Sequence, residues 1–271
     1  MIIASGNLNS ADNPLPCHYH RYPTGSAWAK RLLSIASLCL LIGFLASCGQ
    51  ITDGQASNTG SLKTGAQGSH GQFTYVAIGA SDTFGIGTED PYSENWPTDL
   101  AGMLGSNVHL INLGIPGIIV HEALSIELPI ALDSHPDLVT IWLAVNDLVD
   151  KVPVDSYSHD LDLMLSRLQA SAPHARILVA NVPDLTLLPY FKTYDPLVLQ
   201  SRVQAYNAAI AGIVQQHHVI LVDLTQQNYN IEAHPEYISG DGLHPTDLGY
   251  MQIAKVFYTA LQHAQEPAKK P

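Results

Sequence analysis

Cysteine is scarce in this chain, which contains three in 271 residues. All three, Cys17, Cys39 and Cys48, lie within the first 48 residues, so the rest of the chain cannot form a disulfide framework. Basic residues are also few, with 12 Lys and Arg against 24 Asp and Glu and a net charge of -12. A surface of this sign repels phosphodiester backbones, which argues against a nucleic-acid partner.

The most apolar run near the N-terminus is too short for a comfortable transmembrane helix. It extends from Leu32 to Ala46 without a charge, whereas a spanning helix needs about 20 apolar residues. Arg21, Lys30 and Arg31 precede it, which is the layout of an export signal. The run ends in Leu-Ala-Ser-Cys, which resembles the lipobox of bacterial lipoproteins. That resemblance implies cleavage before Cys48 and attachment of diacylglycerol to its thiol.

These features divide the chain into four predicted segments. Residues 1–47 are expected to be a lipoprotein-type signal peptide, with an ordinary cleaved signal or an uncleaved anchor as alternatives. Residues 48–72 are rich in Gly, Ser, Thr, Gln and Asn, so they cannot bury enough surface to offset their ordering entropy and are predicted to be a flexible tether. Residues 73–265 are expected to form one domain, and 266–271 a C-terminal tail.

The location follows from the same segments. Because the signal carries three basic residues and one acid, the mature chain keeps 9 basic and 23 acidic residues, a net charge of -14. Membrane attachment is therefore expected to depend on the lipid at Cys48 and not on a basic patch. We expect an exported protein that is anchored to the bacterial cell envelope.

Short apolar runs alternate with longer amphipathic segments within residues 73–265. The predicted strands are 73–79, 108–113, 138–145, 176–182 and 219–224. The predicted helices are 96–104, 120–132, 155–172, 196–216 and 246–262. Each predicted strand is apolar nearly throughout, as expected when helices cover both faces of a parallel sheet. The pattern therefore predicts an α/β fold with a parallel sheet between layers of helices.

Chemically useful side chains follow these predicted strands. Ser81 follows the first strand, Asn146 follows the third, and Asp241 and His244 lie in the loop before the last helix. Ligands of open parallel sheets bind beyond the carboxyl ends of the strands, so these residues are expected to converge on one rim. A hydroxyl, a histidine with a nearby acid, and an amide that can hold an oxyanion are the groups that acyl transfer requires. The sequence therefore predicts a serine hydrolase.

Four short blocks of this domain resemble those of the SGNH, or GDSL-type, hydrolases. In chain order they are Gly79-Ala80-Ser81-Asp82, Asn112-Leu113-Gly114-Ile115-Pro116-Gly117, Ala144-Val145-Asn146-Asp147 and Asp241-Gly242-Leu243-His244-Pro245. The resemblance implies a flavodoxin-like three-layer α/β/α sandwich with a five-stranded parallel sheet. It also implies ester hydrolysis through an acyl-serine, without a metal ion or another cofactor.

The resemblance assigns a role to each matching residue. Ser81 would be the nucleophile, His244 the general base and then acid, and Asp241 the group that orients the imidazole. The oxyanion hole would consist of the backbone N–H groups of Ser81 and Gly117 and the side-chain amide of Asn146.

The blocks depart from the family pattern at two positions. Ala80 stands where an acid usually precedes the serine, and we place the second departure at Val145, where glycine is commoner. A catalytically silent protein that binds glycan or lipid on the same fold is therefore an alternative. Each residue also has a plainer interpretation, since Ser81 and Asn146 are typical helix caps and Gly117 is typical of a tight turn.

Specificity is less readable from the sequence. Side chains in the loops after the first and fourth strands are candidates to line the pocket, or merely to pack those loops: Tyr92, Trp96, Leu187, Leu188, Tyr190 and Phe191. The expected substrate is a small-molecule or glycan ester. Within this chemistry, a carbohydrate O-deacetylase that acts on envelope or extracellular polysaccharide is the alternative to a general esterase.

Other classes of site are disfavoured. The glycines after the first strand do not follow G-x-G-x-x-G and no Walker lysine follows them, so a nucleotide site is not expected. Thr83 occupies the second glycine position of the G-x-S-x-G elbow, which distinguishes the chain from α/β-hydrolases. The chain has 13 histidines but no clear metal-ligand spacing, so we expect no metal. We expect a monomer.

Overall fold

A five-stranded parallel sheet is the centre of the computed structural model, which describes residues 72–225 and 233–264. Its strands are β1 (Phe73–Gly79), β2 (Val108–Asn112), β3 (Leu138–Trp142), β4 (Arg176–Ala180) and β5 (Ile220–Val222). The helices are α1 (Ser81–Phe84), α2 (Trp96–Leu104), α3 (Val120–Asp133), α4 (Val145–Val149), α5 (Val154–Ser171), α6 (Pro196–His217) and α7 (Asp247–His263). Short 3-10 helices occur at Leu185–Leu187, Pro189–Phe191 and Pro235–Tyr237. The predicted signal peptide, Cys48, the tether and the tail lie outside the described residues.

The strands lie in the order β2-β1-β3-β4-β5, and all neighbours are parallel. Alternate side chains of a strand face opposite sides of the sheet. Val76 and Ile78 of β1 belong to a core cluster with residues of α3, α5 and α6, whereas Tyr75 and Ala77 belong to a second cluster with α2 and α7. The predicted three-layer α/β/α fold is therefore confirmed.

The first strand has the predicted bounds, but the other four end earlier than predicted at the rim of the sheet. The third strand was predicted to run to residue 145, but β3 stops at Trp142 and Val145 is the first residue of α4. Leu143 and Ala144 stay buried after the strand ends, so hydrophobicity alone does not mark the boundary. No helix within residues 72–225 and 233–264 is long and apolar enough to span a bilayer.

Candidate active site

Ser81 begins the short helix α1 directly after β1 and is 6% exposed. The chain after β2 packs tightly against this turn, since a Cβ added to Gly114 would lie 2.4 Å from the backbone nitrogen of Phe84. Asn112 fastens the same contact, because its Nδ2 donates to the carbonyl of Thr83 and its Oδ1 accepts from the N–H of Gly114. The second sequence block therefore supports the turn that carries Ser81.

His244 reaches Ser81 from the other end of the sequence. Its Nε2 lies 2.9 Å from Ser81 Oγ, and its Nδ1 lies 2.6 Å from Asp241 Oδ2. The imidazole is buried, with 8% of the residue exposed. A hydroxyl bonded to an imidazole whose second nitrogen meets a carboxylate can lose its proton to that ring while it attacks a carbonyl carbon. Sequence reasoning expected this convergence, and the structure brings the three side chains together.

The Asp241 carboxylate is held by its own loop. Its Oδ1 accepts from the N–H groups of Leu243 and His244 at 2.8 and 2.9 Å and from the hydroxyl of Ser239 at 2.9 Å. Partial burial pushes the pKa of Asp241 upward, but the hydrogen bonds from the His244 ring and from these backbone groups outweigh it and lower the pKa to about 2. The acid is therefore ionised at neutral pH and can balance a positive charge on the imidazole.

Helix α4 joins the third block to the loop that carries Gly117. Asn146 donates from Nδ2 to the carbonyl of Ile118 at 2.9 Å, and both oxygens of Asp147 accept from the N–H of Val120 at 3.2 Å. Gly117 adopts a φ of 84°, which favours glycine. Burial, only partly offset by the Val120 hydrogen bond, raises the pKa of Asp147 to about 6. Two consecutive side chains of α4 thus hold the loop after Gly117 and the first residue of α3.

The glycine-like position of the third block is Ala144 and not Val145, which corrects the sequence-based assignment. Ala144 has a φ of 127°, whereas Val145 lies inside α4. A non-glycine residue in such a conformation stores strain of about 1–3 kcal/mol. The strained residue is 1% exposed and lies directly before the helix that presents Asn146.

A buried acid lies behind the serine turn although position 80 is alanine. Glu127 of α3 is fully buried, and its Oε1 accepts from the N–H of Gly79 at 3.1 Å. Its Oε2 is buried and has no hydrogen-bond partner among the residues that the structure describes. Burial, only partly offset by the Gly79 hydrogen bond, raises the pKa of Glu127 to about 8. Sequence reasoning missed this residue, because a glutamate in an amphipathic segment is normally taken as solvent-facing.

Two adjoining pockets open beside Ser81. The first, which we call the serine pocket, has a volume of about 20 Å³, and its walls include Ser81, His244, Asn146 and Trp142. The second, the apolar pocket, has a volume of about 40 Å³. It is lined by Asp82, Trp142, Val145, Pro183, Asp184, Leu185, Leu188, Ile238, Leu243, Pro245 and Ile253. Both volumes are small, since a cavity of about 10–15 Å³ holds one water molecule.

The four aromatic residues named as possible pocket lining lie elsewhere. Trp96 is fully buried in the core, where its ring stacks on that of Phe257 at 4.2 Å. Phe191 is 2% exposed and packs edge-on against Tyr190, which is 48% exposed. Tyr92 is 83% exposed and contacts Phe84. These aromatics pack loops and core, which was the plainer interpretation.

The pocket walls that sequence reasoning missed come from the ends of strands and from the last loop. Trp142 closes β3 and lines both pockets, as does Leu243. The rule that ligands bind at the carboxyl ends of parallel strands was the available signal for Trp142.

In residues 72–225 and 233–264, no group of three or more His, Cys, Asp or Glu side chains is placed to hold a metal ion.

Comparison with known proteins identifies the family. Residues 77–252 match the model of the GDSL-like lipase/acylhydrolase family. An arylesterase from Vibrio mimicus is 27% identical over 168 residues, which cover 60% of this chain and 76% of that protein.

Solved structures share the fold. A family 3 carbohydrate esterase from Clostridium thermocellum is 22% identical, with a TM-score of 0.57 over 71% of this chain and 96% of that one. A lipase/acylhydrolase from Enterococcus faecalis is 19% identical, with a TM-score of 0.58 over 73% and 100% of the two chains. At these identities the likeness concerns the three-layer sandwich alone.

Proposed function

Because this chain belongs to the GDSL-like lipase/acylhydrolase family and is an ester-hydrolysing enzyme, we propose that Ser81, His244 and Asp241 are the triad that carries its reaction. The observation that supports this best is the continuous hydrogen-bonded series, with 2.9 Å from Ser81 Oγ to His244 Nε2 and 2.6 Å from His244 Nδ1 to Asp241 Oδ2. The alternative of a catalytically silent binding protein is set aside with the family assignment.

The reaction begins with attack of Ser81 Oγ on the ester carbonyl carbon. The hydroxyl proton passes to His244 Nε2, and the ionised Asp241 stabilises the resulting imidazolium. The tetrahedral intermediate collapses when His244 returns the proton to the leaving alcohol oxygen, which leaves an acyl-serine. Water then attacks the acyl carbon by the same sequence, with His244 as base, and releases the carboxylic acid.

The oxyanion of each tetrahedral intermediate needs fixed donors. We assign these to the backbone N–H groups of Ser81 and Gly117 and to Nδ2 of Asn146. Asn146 shares the walls of the serine pocket with Ser81 and His244, and its amide is oriented by its bond to Ile118. Donors that are fixed before the reaction need no reorganisation when the charge develops, which is the main source of their catalytic effect.

The pocket dimensions favour a short acyl group. A volume of about 20 Å³ beside Ser81 suits an acetyl group better than a long chain. This observation supports the second candidate, a carbohydrate O-deacetylase, beside a general short-chain esterase. The relative named an arylesterase is consistent with an ester of a small alcohol or phenol.

We also propose that a lipid anchor at Cys48 attaches the enzyme to the cell envelope and that the enzyme acts outside the cytoplasm. The sequence from Arg21 to Cys48 carries this proposal. Cells that express the full chain and take up an alkyne fatty acid should incorporate label into the wild type and not into Cys48→Ala. Label retained in Cys48→Ala would refute lipidation at this residue.

Labelling with a fluorophosphonate probe tests the nucleophile. The wild type should react with the probe and hydrolyse p-nitrophenyl acetate, and Ser81→Ala should do neither, because the probe needs an activated serine hydroxyl. Ser125→Ala is the matched control, since the Ser125 hydroxyl is exposed on α3 and donates to the carbonyl of Glu122 within the same helix. Equal labelling of wild type and Ser81→Ala would remove Ser81 from the proposed role.

A series of acetyl, butyryl and octanoyl esters tests the acyl preference. The acetyl ester should have the highest kcat/KM, because longer chains exceed the volume of the serine pocket. An increase in kcat/KM with chain length would refute the short-acyl assignment while leaving the triad in place.

A further inference from the structure

Asp82 is a second acid at the candidate site, directly after Ser81. Among the residues that the structure describes, Asp82 is the only one with an ionisable side chain that lines both the serine pocket and the apolar pocket, since His244 lines only the first and Asp184 only the second. Apart from Asp184, the other walls of the apolar pocket are hydrophobic or proline side chains. A carboxyl group in this position faces whatever part of a substrate lies next to the reacting ester.

The carboxyl of Asp82 has no partner from another residue in the part of the chain that the structure describes, and it accepts only from its own backbone N–H. Burial raises the pKa of Asp82, the attraction of His244 opposes this, and the repulsion of Asp241 adds to the rise. Asp184, at the same pocket, differs because its Oδ1 already accepts from the N–H and the hydroxyl of Thr186.

We propose that Asp82 is a specificity-determining residue that selects esters with a free hydroxyl group next to the reacting ester. A hydroxyl can donate to Asp82 when its carboxyl is ionised and accept from it when it is protonated, whereas an ammonium group can pair only with the ionised form. A carboxylate-bearing substrate is repelled by the ionised form of Asp82. This inference rests on the proposed function and narrows its substrate class to hydroxylated alcohols, as in a partly acetylated sugar or polyol.

The test compares kcat/KM for acetate release from four acetyl esters. Propyl acetate is the reference, 1-acetylglycerol adds hydroxyls to the same three-carbon alcohol, 3-acetoxypropanoate adds a carboxylate, and acetylcholine adds a cation. Each ester is measured with the full-length wild type, Asp82→Asn and Asp82→Leu. Asp184→Asn is the matched control, because it removes a charge from the same pocket but not the unpaired acceptor.

The decisive quantity is the selectivity ratio, which is kcat/KM for 1-acetylglycerol divided by kcat/KM for propyl acetate. It should fall by about fivefold in Asp82→Asn, which keeps a neutral acceptor, and by at least about tenfold in Asp82→Leu, which keeps none. The same ratio should be preserved in Asp184→Asn. Turnover of 3-acetoxypropanoate relative to propyl acetate should rise in Asp82→Leu.

Three results would overturn the proposal. An unchanged ratio in Asp82→Leu, including an equal loss for all four esters, would show that Asp82 acts on the fold or on the serine turn. A selectivity for acetylcholine that depends on Asp82 would assign the pocket to a cation. If the wild type releases no acetate from any ester and does not react with a fluorophosphonate, both the proposed function and this inference fail.

Discussion

Replacement of Glu127 by glutamine should change how the stability of the enzyme depends on pH. The side chain is fully buried on α3, where one carboxyl oxygen accepts from the N–H of Gly79 and the other has no partner within residues 72–225 and 233–264. Glutamine has nearly the same shape and keeps an acceptor for Gly79, but it cannot ionise. The variant therefore isolates the energetic consequence of a buried titratable group directly behind the serine turn.

The size of the effect follows from the pKa of Glu127, which rises from 4.5 in the unfolded chain to about 8 in the folded protein. Between these values the unfolded chain has released the proton and the folded protein still holds it, so stability falls as pH rises. Each pH unit is equivalent to about 1.4 kcal/mol, so the loss across this window is about 5 kcal/mol. Above pH 8 both states are ionised and the loss no longer grows.

Urea unfolding of the full-length protein at pH 5, 7 and 9 measures this difference. Between pH 5 and pH 9 the free energy of unfolding of Glu127→Gln, relative to the wild type, should shift by about 4 kcal/mol in favour of the variant. Glu89→Gln, at an exposed position outside the helices, is the control for the loss of a glutamate as such. Parallel curves for the wild type and Glu127→Gln would refute a raised pKa at this buried acid.

Three further substitutions test the geometry of the site. Asn146→Ala should lower kcat by about 10²–10³ and leave KM nearly unchanged, since an oxyanion donor acts mainly in the transition state; steady-state kinetics measures both. Asp241→Asn should lower kcat by roughly 10³–10⁴ without loss of fold by circular dichroism. Gly114→Ala should lower the free energy of unfolding by about 1–3 kcal/mol, because its Cβ would lie 2.4 Å from the backbone of Phe84. Gly102→Ala, with nothing within 4 Å of its Cβ, should not destabilise the protein.

Distinct outcomes would contradict these expectations. A rise in KM with unchanged kcat in Asn146→Ala would assign the amide to ground-state binding. An unaffected kcat in Asp241→Asn would remove the acid from proton transfer. Equal stabilities of the two glycine variants would show that the chain after β2 can move away from the serine turn.

The order of the elements could be predicted because the strands of a parallel sheet are covered on both faces and are therefore continuously apolar. The family resemblance was also read correctly from the four blocks and is confirmed by the match to residues 77–252. The ends of the strands were less predictable. Leu143 and Ala144 are as buried in the rim as residues of the sheet itself, so the apolar run carries no mark of where pairing stops.

The polar residues of the site were easier to locate than its walls. Ser81, Asn146 and His244 follow strands or precede a helix, and the topology brings such positions together. Trp96 was a candidate for the wall because it follows the serine loop, but it points into the core as the first residue of α2. A large aromatic residue at the start of a helix gives the same sequence pattern whether it lines a pocket or packs into the core.

Two acids have roles that only the coordinates reveal. Asp147 lies in α4 but accepts from Val120 at the start of α3, a partner 27 residues earlier in the chain. Glu127 meets Gly79 across 48 residues. Hydrophobic periodicity is a local property, so it cannot report a polar contact between distant segments.

Leu243 contributes to the site in two independent ways, through its backbone N–H and through its side chain. The backbone N–H of this residue bonds to Asp241 Oδ1 at 2.8 Å, while its side chain lines both pockets. Every amino acid except proline retains that N–H. Randomising this single codon therefore offers a protein engineer a way to vary the accepted acyl chain while the His244–Asp241 contact stays intact.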